Sequence, residues 1–273
     1  MGRTDWRALL TSTLALMPEL LEVEAYRRLL DPLVGATISR VEGDHLVCGG
    51  AVGRCPAEGL TITATRRIGK LLLLDTDHHV LGLHAGMTGS FLLDGVSAFD
   101  ALRYAPAVAD RRFIRLRAEM TDGRCVELHD PRRLARVTVD PDESRLGPDA
   151  TTITVAELRR ALGVGSTSPT ALKARLLDQA RIAGLGNLLA DEICFQAHLD
   201  PGRRAAALSG EEVTVLHRQI GKTLRALGRR GGSDGGALQD ARVRGGVCPR
   251  CGTALERRTI GGRTTFSCPV EQG

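Results

Sequence analysis

The sequence lacks long hydrophobic runs. Its apolar runs, such as Leu71 to Leu74, are short and flanked by charge, whereas a helix that spans a bilayer needs about 20 apolar residues. Residues 1–16 carry two arginines and a short apolar tract, but Thr11, Ser12 and Thr13 interrupt that tract and no small-residue cleavage motif follows it. We therefore expect neither a membrane segment nor a secretory signal.

Lysine is scarce. Of the 37 basic residues only Lys70, Lys173 and Lys222 are lysines, and the net charge is +5. The planar guanidinium of arginine suits two-pronged contacts with phosphates and base edges. A GC-rich genome produces the same bias, so composition alone leaves the polyanionic partner open.

The seven cysteines are odd in number and mostly scattered, which argues against a disulfide scaffold and for a reducing cytoplasm. Cys248 and Cys251 form a C-x2-C pair, and Cys268 follows after sixteen residues. Glu271 stands where the spacing predicts a fourth ligand. We expect one structural zinc held by three thiolates and by Glu271 or water. The alternative is a degenerate finger whose β-hairpin is held by packing alone.

The first half of the chain reads as β-rich and the second half as helical. Asp122-Gly123 lies between two alternating runs, which is a strong hairpin signal. Beyond Pro148, Thr154-x-x-Glu157 and Ser209-x-x-Glu212 are typical of capping boxes at helix starts.

Two more helices are predicted between those capping boxes, over Ala171 to Ala183 and Leu188 to His198. They are separated by the glycine-containing segment that ends at Asn187. The glycine-rich segment from Gly231 to Gly236 is predicted to be a flexible link.

Six segments carry a family resemblance when they are taken together and in order. They are MPELLEVE from Met17, RRIGK ending at Lys70, HAGMTG from His84, HDPRRL from His129, ARIAGLGNLLADEI from Ala180, and CPRCG with the following GGRTTFSCP. This collinear set resembles the formamidopyrimidine-DNA glycosylase and endonuclease VIII family of DNA repair enzymes. Residues 1–16 match nothing in the family, so we expect the mature protein to begin at Pro18 after removal of Met17.

The resemblance implies an α+β multidomain fold. A catalytic β-sandwich domain with flanking helices would span residues 17–147, and a helix-two-turn-helix DNA-binding domain would span 148–240. A zinc-finger-like β-hairpin would occupy 241–273, and residues 1–16 would be an extension. The implied partner is double-stranded damaged DNA, bound by a monomer in the bacterial cytoplasm at the nucleoid.

The resemblance also implies a base excision repair glycosylase with an abasic-site lyase activity, acting on oxidised or ring-opened bases. Pro18 matches the family's nucleophile, whose α-amino group has a pKa of about 8 against about 10.4 for lysine. Glu19 matches the acid that protonates the opening deoxyribose ring, and Glu22 matches a supporting carboxylate. Lys70 matches a lysine that contacts phosphate beside the lesion.

Further residues match the family's DNA contacts. Lys173 and Asn187 match phosphate-binding residues of the helical domain, where glycines would let backbone amides approach a phosphate. Arg263 matches the finger arginine that grips the phosphates flanking the flipped nucleotide. The remaining implied contacts are His84 and the three residues that fill the gap left by the flipped base, Met87, Arg132 and Leu134.

Three departures from the family pattern qualify these expectations. Leu134 replaces the common phenylalanine and Leu21 replaces the usual proline. The segment from Gly231 to Cys248 is short, which favours the endonuclease VIII branch and oxidised pyrimidines, or else abasic and opened-ring lesions. The rival hypothesis is a catalytically silent paralogue that binds damaged DNA, because Pro18 lies within the chain and the cysteine quartet is incomplete.

Overall fold

The computed structural model describes residues 18–44, 56–98 and 111–273. The predicted extension and Met17 lie outside these residues. The described chain divides into two compact units. The first contains Pro18, Ala25–Arg66 and Leu71–Pro141, and the second contains Glu19–Glu24, Arg67–Lys70 and Asp142–Gly273.

Two β-sheets form the body of the first unit. The strands are β1 (Ile38–Gly43), β2 (Ile62–Ile68), β3 (Leu71–Thr76), β4 (Val80–His84), β5 (Ser90–Leu93), β6 (Val96–Ser97), β7 (Ile114–Met120), β8 (Cys125–His129) and β9 (Arg136–Val139). One sheet has the order β1-β7-β8-β5-β6, and the other has the order β2-β3-β4-β9.

The predicted hairpin is confirmed as β7 and β8. These strands pair antiparallel, with Glu119 opposite Cys125, and the backbone N–H of Gly123 donates to the carbonyl of Met120 at 3.0 Å. Gly123 has a φ of 89°, a left-handed conformation that glycine adopts without a steric penalty. The local turn chemistry therefore determines this pairing.

The second unit contains most of the helices and a terminal hairpin. The helices are α1 (Leu20–Leu30), which continues into residues of the first unit, α2 (Val155–Leu162), α3 (Leu172–Leu177), α4 (Asn187–Gln196) and α5 (Gly210–Arg229). Strands β10 (Glu256–Ile260) and β11 (Arg263–Ser267) pair antiparallel. None of the helices within the described ranges is long and apolar enough to cross a membrane.

Both predicted capping boxes are confirmed at the starts of α2 and α5. In each, the hydroxyl of the N-cap residue accepts from the N3 backbone and the N3 glutamate accepts from the N-cap backbone. The apolar faces of these helices pack with α3 and α4 into one core, which includes Leu158, Leu189 and Leu216. Local capping and helical periodicity therefore locate these two helices correctly.

The predicted helix from Ala171 to Ala183 is too long. The helix α3 ends at Leu177, because Asp178 adopts an extended conformation and its carboxylate accepts from the backbone N–H of Ala180 at 3.1 Å. Aspartate competes for backbone donors in this way and favours turns over helix interiors. The residues that follow form the loop that leads into α4.

Candidate active site

The start of α1 is anchored to the loop before α4. The backbone N–H of Leu20 donates to the carbonyl of Gly184 at 3.2 Å, and the Leu20 side chain belongs to the helical core. Gly184 has a φ of 109°, and a Cβ there would lie 2.8 Å from Leu20 Cδ2. Two glycine properties, left-handed φ and lack of a side chain, therefore fix the position of Leu20 and of the residue before it.

Glu19 caps α4 from a distant part of the chain. Its carboxylate accepts from the backbone N–H groups of Gly186 at 2.7 Å, Leu188 at 2.8 Å and Leu189 at 3.2 Å. The first N–H groups of a helix have no partner within the helix and carry its positive dipole end. Gly186, the N-cap residue, has no side chain to satisfy them. The Glu19 carboxylate takes that role.

This contact requires glycine at position 186. A Cβ at Gly186 would lie 2.3 Å from Glu19 Cδ and 2.6 Å from its Oε1 atom. We predicted from the sequence that the glycines here let backbone amides approach a phosphate. That interpretation is corrected for these amides, because the group they approach is the carboxylate of Glu19.

Glu22 is held by Ser233, a residue that no sequence motif indicates. Its carboxylate accepts from Ser233 N at 2.6 Å, from Ser233 Oγ at 2.8 Å and from Glu19 N at 2.8 Å. Ser233 is buried in a 3-10 turn, and a Cβ at Gly232 would lie 2.6 Å from Glu22 Oε1. The predicted flexible link is therefore wrong at this point. Its glycines permit close approach to a buried carboxylate.

Burial and neighbouring charges shift the pKa values of Glu19, Glu22 and Lys70. Burial raises the pKa of Glu19 to about 7, with the attraction of Lys70 opposing that rise and the charge of Glu22 adding to it. Burial also raises the pKa of Glu22. The pKa of Lys70 is lowered, first by burial and further by the positive charge of Arg263. Glu19 is therefore a carboxyl group that can be protonated near neutral pH and can serve as a general acid.

An ion pair fixes the turn that carries Lys70. Arg67 Nη1 lies 2.6 Å from Asp149 Oδ2 and also donates to the carbonyl of Gly69 at 2.8 Å. The backbone N–H of Gly69 donates to the same Asp149 oxygen at 2.7 Å. Both polar groups of the residue before Lys70 are thus held by one arginine–aspartate pair.

The predicted gap-filling residues lie on two loops of the first unit. Met87 is half-buried, whereas Arg132 and Leu134 are exposed. The exposed fraction of Leu134 is 36%, so its side chain is accessible to a partner. His84 precedes Met87 at the end of β4, and its Nδ1 accepts from Gly86 N at 3.0 Å.

Asp130 ties these two loops together. Its fully buried carboxylate accepts from Thr88 Oγ1 and from the backbone N–H groups of Arg132 at 3.0 Å and Leu134 at 2.6 Å. A Cβ at Gly86 would lie 2.5 Å from the backbone of Leu134. The first unit therefore presents Met87, Arg132 and Leu134 from one interlocked pair of loops.

The predicted phosphate contacts of the second unit differ in their exposure. Arg263 is exposed at the start of β11, and Asn187 is half-buried at the start of α4. Lys173 is fully buried, with its Nζ 2.6 Å from Asp191 Oδ1. The structure therefore does not present Lys173 to a phosphate. The prediction assigned a surface role to an ammonium group that pairs inside the protein.

Three cysteines of the terminal hairpin region form a metal-ligand cluster. The sulfur atoms of Cys248, Cys251 and Cys268 all lie within 4.8 Å of one another, and Cys251 Sγ lies 3.5 Å from Cys268 Sγ. This spacing fits three thiolates on one tetrahedral zinc. Backbone N–H groups of Arg250 and Glu271 donate to Cys248 Sγ and Cys268 Sγ, each at 3.4 Å.

Glu271 does not complete this cluster. Its Oε2 lies 3.4 Å from His198 Nδ1 and 3.6 Å from Arg250 Nη1, and the side-chain cluster contains only the three cysteines. The predicted glutamate ligand is therefore corrected. The carboxylate lies beside His198 and Arg250 instead, and among the described residues the cluster offers three ligands, all of them thiols.

Replacing Glu271 with cysteine should increase the affinity for zinc by about tenfold or more, because a fourth thiolate is a stronger donor than water. The measurement is zinc content after titration with a chromophoric chelator. Glu271→Ser is the matched control, since it removes the carboxylate without adding a thiol, and it should retain zinc like the parent. Equal retention by all three proteins would contradict this prediction.

Comparisons with known proteins agree with the fold. A model of the formamidopyrimidine-DNA glycosylase N-terminal domain matches residues 17–137, and a model of the H2TH domain of that enzyme matches residues 146–235. The formamidopyrimidine-DNA glycosylase of Thermus thermophilus is 36% identical over 283 residues, covering 94% of this chain and 99% of the relative.

Two solved structures are also similar to this chain. A complex between the Lactococcus lactis Fpg and DNA containing an abasic site has a TM-score of 0.76 and 25% identity, with 93% of this chain and 99% of that chain covered. MutM in complex with DNA containing carbocyclic 8-oxo-G has a TM-score of 0.77 and 26% identity, with 94% and 100% covered.

The chain belongs to the formamidopyrimidine-DNA glycosylase family of DNA repair enzymes. The matched models and the Thermus relative are formamidopyrimidine-DNA glycosylases. They do not support the expected affinity with the endonuclease VIII branch, which rested on the short segment before Cys248.

Proposed function

We propose that this protein is a base excision repair DNA glycosylase that also cleaves the DNA strand at the resulting abasic site. The observation that carries the proposal is Glu19. It is a buried carboxyl with a pKa of about 7, held by three backbone N–H groups and placed directly after Pro18. A proton donor with a pKa near the working pH is what general acid catalysis favours.

The chemistry assigns one role to each residue of this pair. The secondary amine of Pro18 attacks C1′ of the damaged nucleotide, and Glu19 donates its proton to the ring oxygen as the C1′–O4′ bond breaks. The proline nitrogen then loses its proton, which passes to the departing base as the C1′–base bond breaks, and the C1′–nitrogen bond becomes an iminium. This cation withdraws electrons from C2′, whose loss of a proton expels the 3′ phosphate. Glycosylase and lyase steps therefore follow from one nucleophile.

The Pro18 nitrogen must be free for this chemistry. In the chain as printed, Met17 acylates it, and an amide nitrogen has no nucleophilic lone pair. The family model begins its match at residue 17, which supports our proposal that the active form begins at Pro18. Removal of methionine yields this form directly when translation starts at Met17.

Polar side chains of the second unit and the interlocked loops of the first unit supply the proposed DNA contacts. Arg263, Asn187 and Lys70 would bind phosphates, and Met87, Arg132 and Leu134 would fill the space of the extruded base. The similar structures contain DNA with an abasic site and DNA with 8-oxo-G. We propose oxidised purines and abasic sites as the substrates on that basis. Zinc held by the three cysteines would support the hairpin that carries Arg263.

Gly186→Ala tests the role of the Glu19 carboxylate. The added Cβ falls 2.3 Å from Glu19 Cδ, so the carboxyl must move, and excision of 8-oxoguanine from a duplex should fall by about 100-fold or more. The measurement is release of the free base under single-turnover conditions, with protein that begins at Pro18.

The matched control is Gly228→Ala. This glycine lies inside α5, where a Cβ meets only Leu21 Cδ2 at 3.6 Å, an ordinary contact, and alanine favours the helix. Its excision rate should stay within about twofold of the parent. Unchanged excision by Gly186→Ala would remove Glu19 from the proposed mechanism.

A further inference from the structure

A cluster of three buried charges lies where α4 meets the terminal hairpin in the second unit. Lys173 Nζ is 2.6 Å from Asp191 Oδ1, and Arg242 Nη1 pairs with the other oxygen of the same carboxylate. The side chains of Lys173 and Asp191 are 0% exposed and that of Arg242 is 3% exposed. Two cations share one anion, and burying such an excess of charge is costly unless every group is well paired.

All three residues of this cluster contact strand β11. Asp191 Oδ2 accepts from the backbone N–H of Phe266 at 3.2 Å, and the Arg242 guanidinium lies 5.2 Å from the centre of the Phe266 ring. Lys173 Nζ donates to the backbone carbonyl of Thr264 at 3.1 Å. The strand is therefore fixed to α3 and α4 by charge-assisted contacts, which are stronger than neutral hydrogen bonds.

One relay leads from this cluster to Arg263. Lys173 Nζ donates to Thr265 Oγ1 at 2.8 Å, and Thr265 Oγ1 donates in turn to the carbonyl of Arg263 at 3.1 Å. Thr265 is fully buried, whereas Arg263 is exposed. The buried lysine thus orients a hydroxyl that holds the backbone of an exposed cation.

We propose that Lys173, Asp191 and Arg242 are positioning residues that set Arg263 for its phosphate contact, an inference that rests on the proposed function. Asp191 also lies one helical turn after Asn187 on α4. The same carboxylate therefore connects the helix whose start carries Asn187 with the strand whose start carries Arg263. Lys173 assists DNA binding from inside the protein, without touching DNA.

The experiment measures the affinity for a duplex containing a tetrahydrofuran abasic analogue across a series of salt concentrations. Arg263→Ala should weaken binding by about tenfold and lower the salt slope by about 0.9, the value for one lost phosphate contact. Lys173→Met should produce the same two changes, because it removes the ammonium group that holds the Thr265 hydroxyl. The Asp191 carboxylate stays paired in this variant, since it keeps Arg242 as its partner. Thr265→Val should weaken binding by about fivefold, since it removes only the relay hydroxyl.

The control is Thr259→Val, the same change on the paired strand β10, where Thr259 is exposed and lies opposite Thr264. Its affinity and salt slope should match those of the parent. Thermal unfolding of every variant is recorded, and Thr265→Val carries the test if Lys173→Met does not fold.

Double variants decide the matter. If the cluster acts through Arg263, then Lys173→Met and Thr265→Val should each cost less than about twofold when Arg263 is already alanine. Additive losses, or weaker binding at an unchanged salt slope, would overturn the inference and leave the cluster a purely structural role. Unaffected binding by Arg263→Ala would overturn it as well. None of these results bears on the proposed glycosylase and lyase activities, which base release and covalent trapping by the parent protein test separately.

Discussion

Protein that begins at Pro18 should become covalently linked to a duplex containing an abasic site when borohydride is present. The free secondary amine condenses with the open-chain aldehyde of the abasic sugar, and the reductant converts the iminium into a stable amine. A protein that only binds damaged DNA forms no such bond. The measurement is the shift of labelled DNA on a denaturing gel, and we expect most of the bound duplex to shift.

The matched control is the full 273-residue chain. There the Pro18 nitrogen is an amide to Met17, and we expect adduct formation to fall by about 100-fold. A third protein with Pro18→Gly, starting at residue 18, supplies a primary amine at the same place and should still trap. Absence of adduct with the Pro18 form, under conditions where binding is demonstrated, would favour the catalytically silent paralogue.

Glu19→Gln should separate the two activities. The glutamine cannot donate a proton to the ring oxygen, so release of 8-oxoguanine should fall by about 100-fold to 10,000-fold. Trapping of a preformed abasic site should remain within about tenfold of the parent, because no base has to leave. The assays are single-turnover base release and borohydride trapping, both with protein beginning at Pro18.

Glutamine also changes the start of α4. Its amide nitrogen must face one of the N–H groups of Gly186, Leu188 or Leu189, and leaving a buried donor unpaired costs about 1–3 kcal/mol. Glu211→Gln, at an exposed position in the first turn of α5, controls for loss of a carboxylate elsewhere. Equal loss of both activities in Glu19→Gln would show a structural defect and contradict the assignment of Glu19 as the acid.

The raised pKa of Glu19 also gives the pH dependence of base release in the parent a definite sign. The acid is protonated below its pKa of about 7, and the proline amine is unprotonated above an ordinary α-amino pKa of about 8. Protonated Glu19 and the unprotonated proline amine are present together to the greatest extent at a pH between these two pKa values. The excision rate should therefore fall on the alkaline side as Glu19 ionises, and this limb should be missing in the residual activity of Glu19→Gln.

The sequence predicted the elements whose causes lie close together in the chain. The capping boxes at Thr154 and Ser209 and the turn at Asp122-Gly123 depend on residues three or four positions apart, and all three are confirmed. The six motifs also led to the correct family. These predictions are confirmed because local hydrogen bonds determine the caps and the turn, and because the six motifs occur in the same order as in the family.

The contacts that shape the site could not be predicted in this way. Glu19 and Leu188 are 169 positions apart, and Glu22 and Ser233 are 211 positions apart. No periodicity relates such residues, so the glycines at 186 and 232 were interpreted as a phosphate approach and a flexible link. The predicted phosphate contact of Lys173 is wrong for a related reason, because only the fold shows that Asp191 faces this lysine inside the core.

The carboxylate at the start of α4 has a consequence for how this gene can change over time. A substitution at Gly186 that adds any side chain collides with Glu19, and a shorter acid at position 19 would withdraw from the three N–H groups it satisfies. A substitution at either position alone should therefore destabilise the folded chain, even in a descendant that no longer repairs DNA. A lineage that loses the chemistry should therefore lose the proline first, since protein stability would continue to preserve the glutamate after selection for activity has ceased.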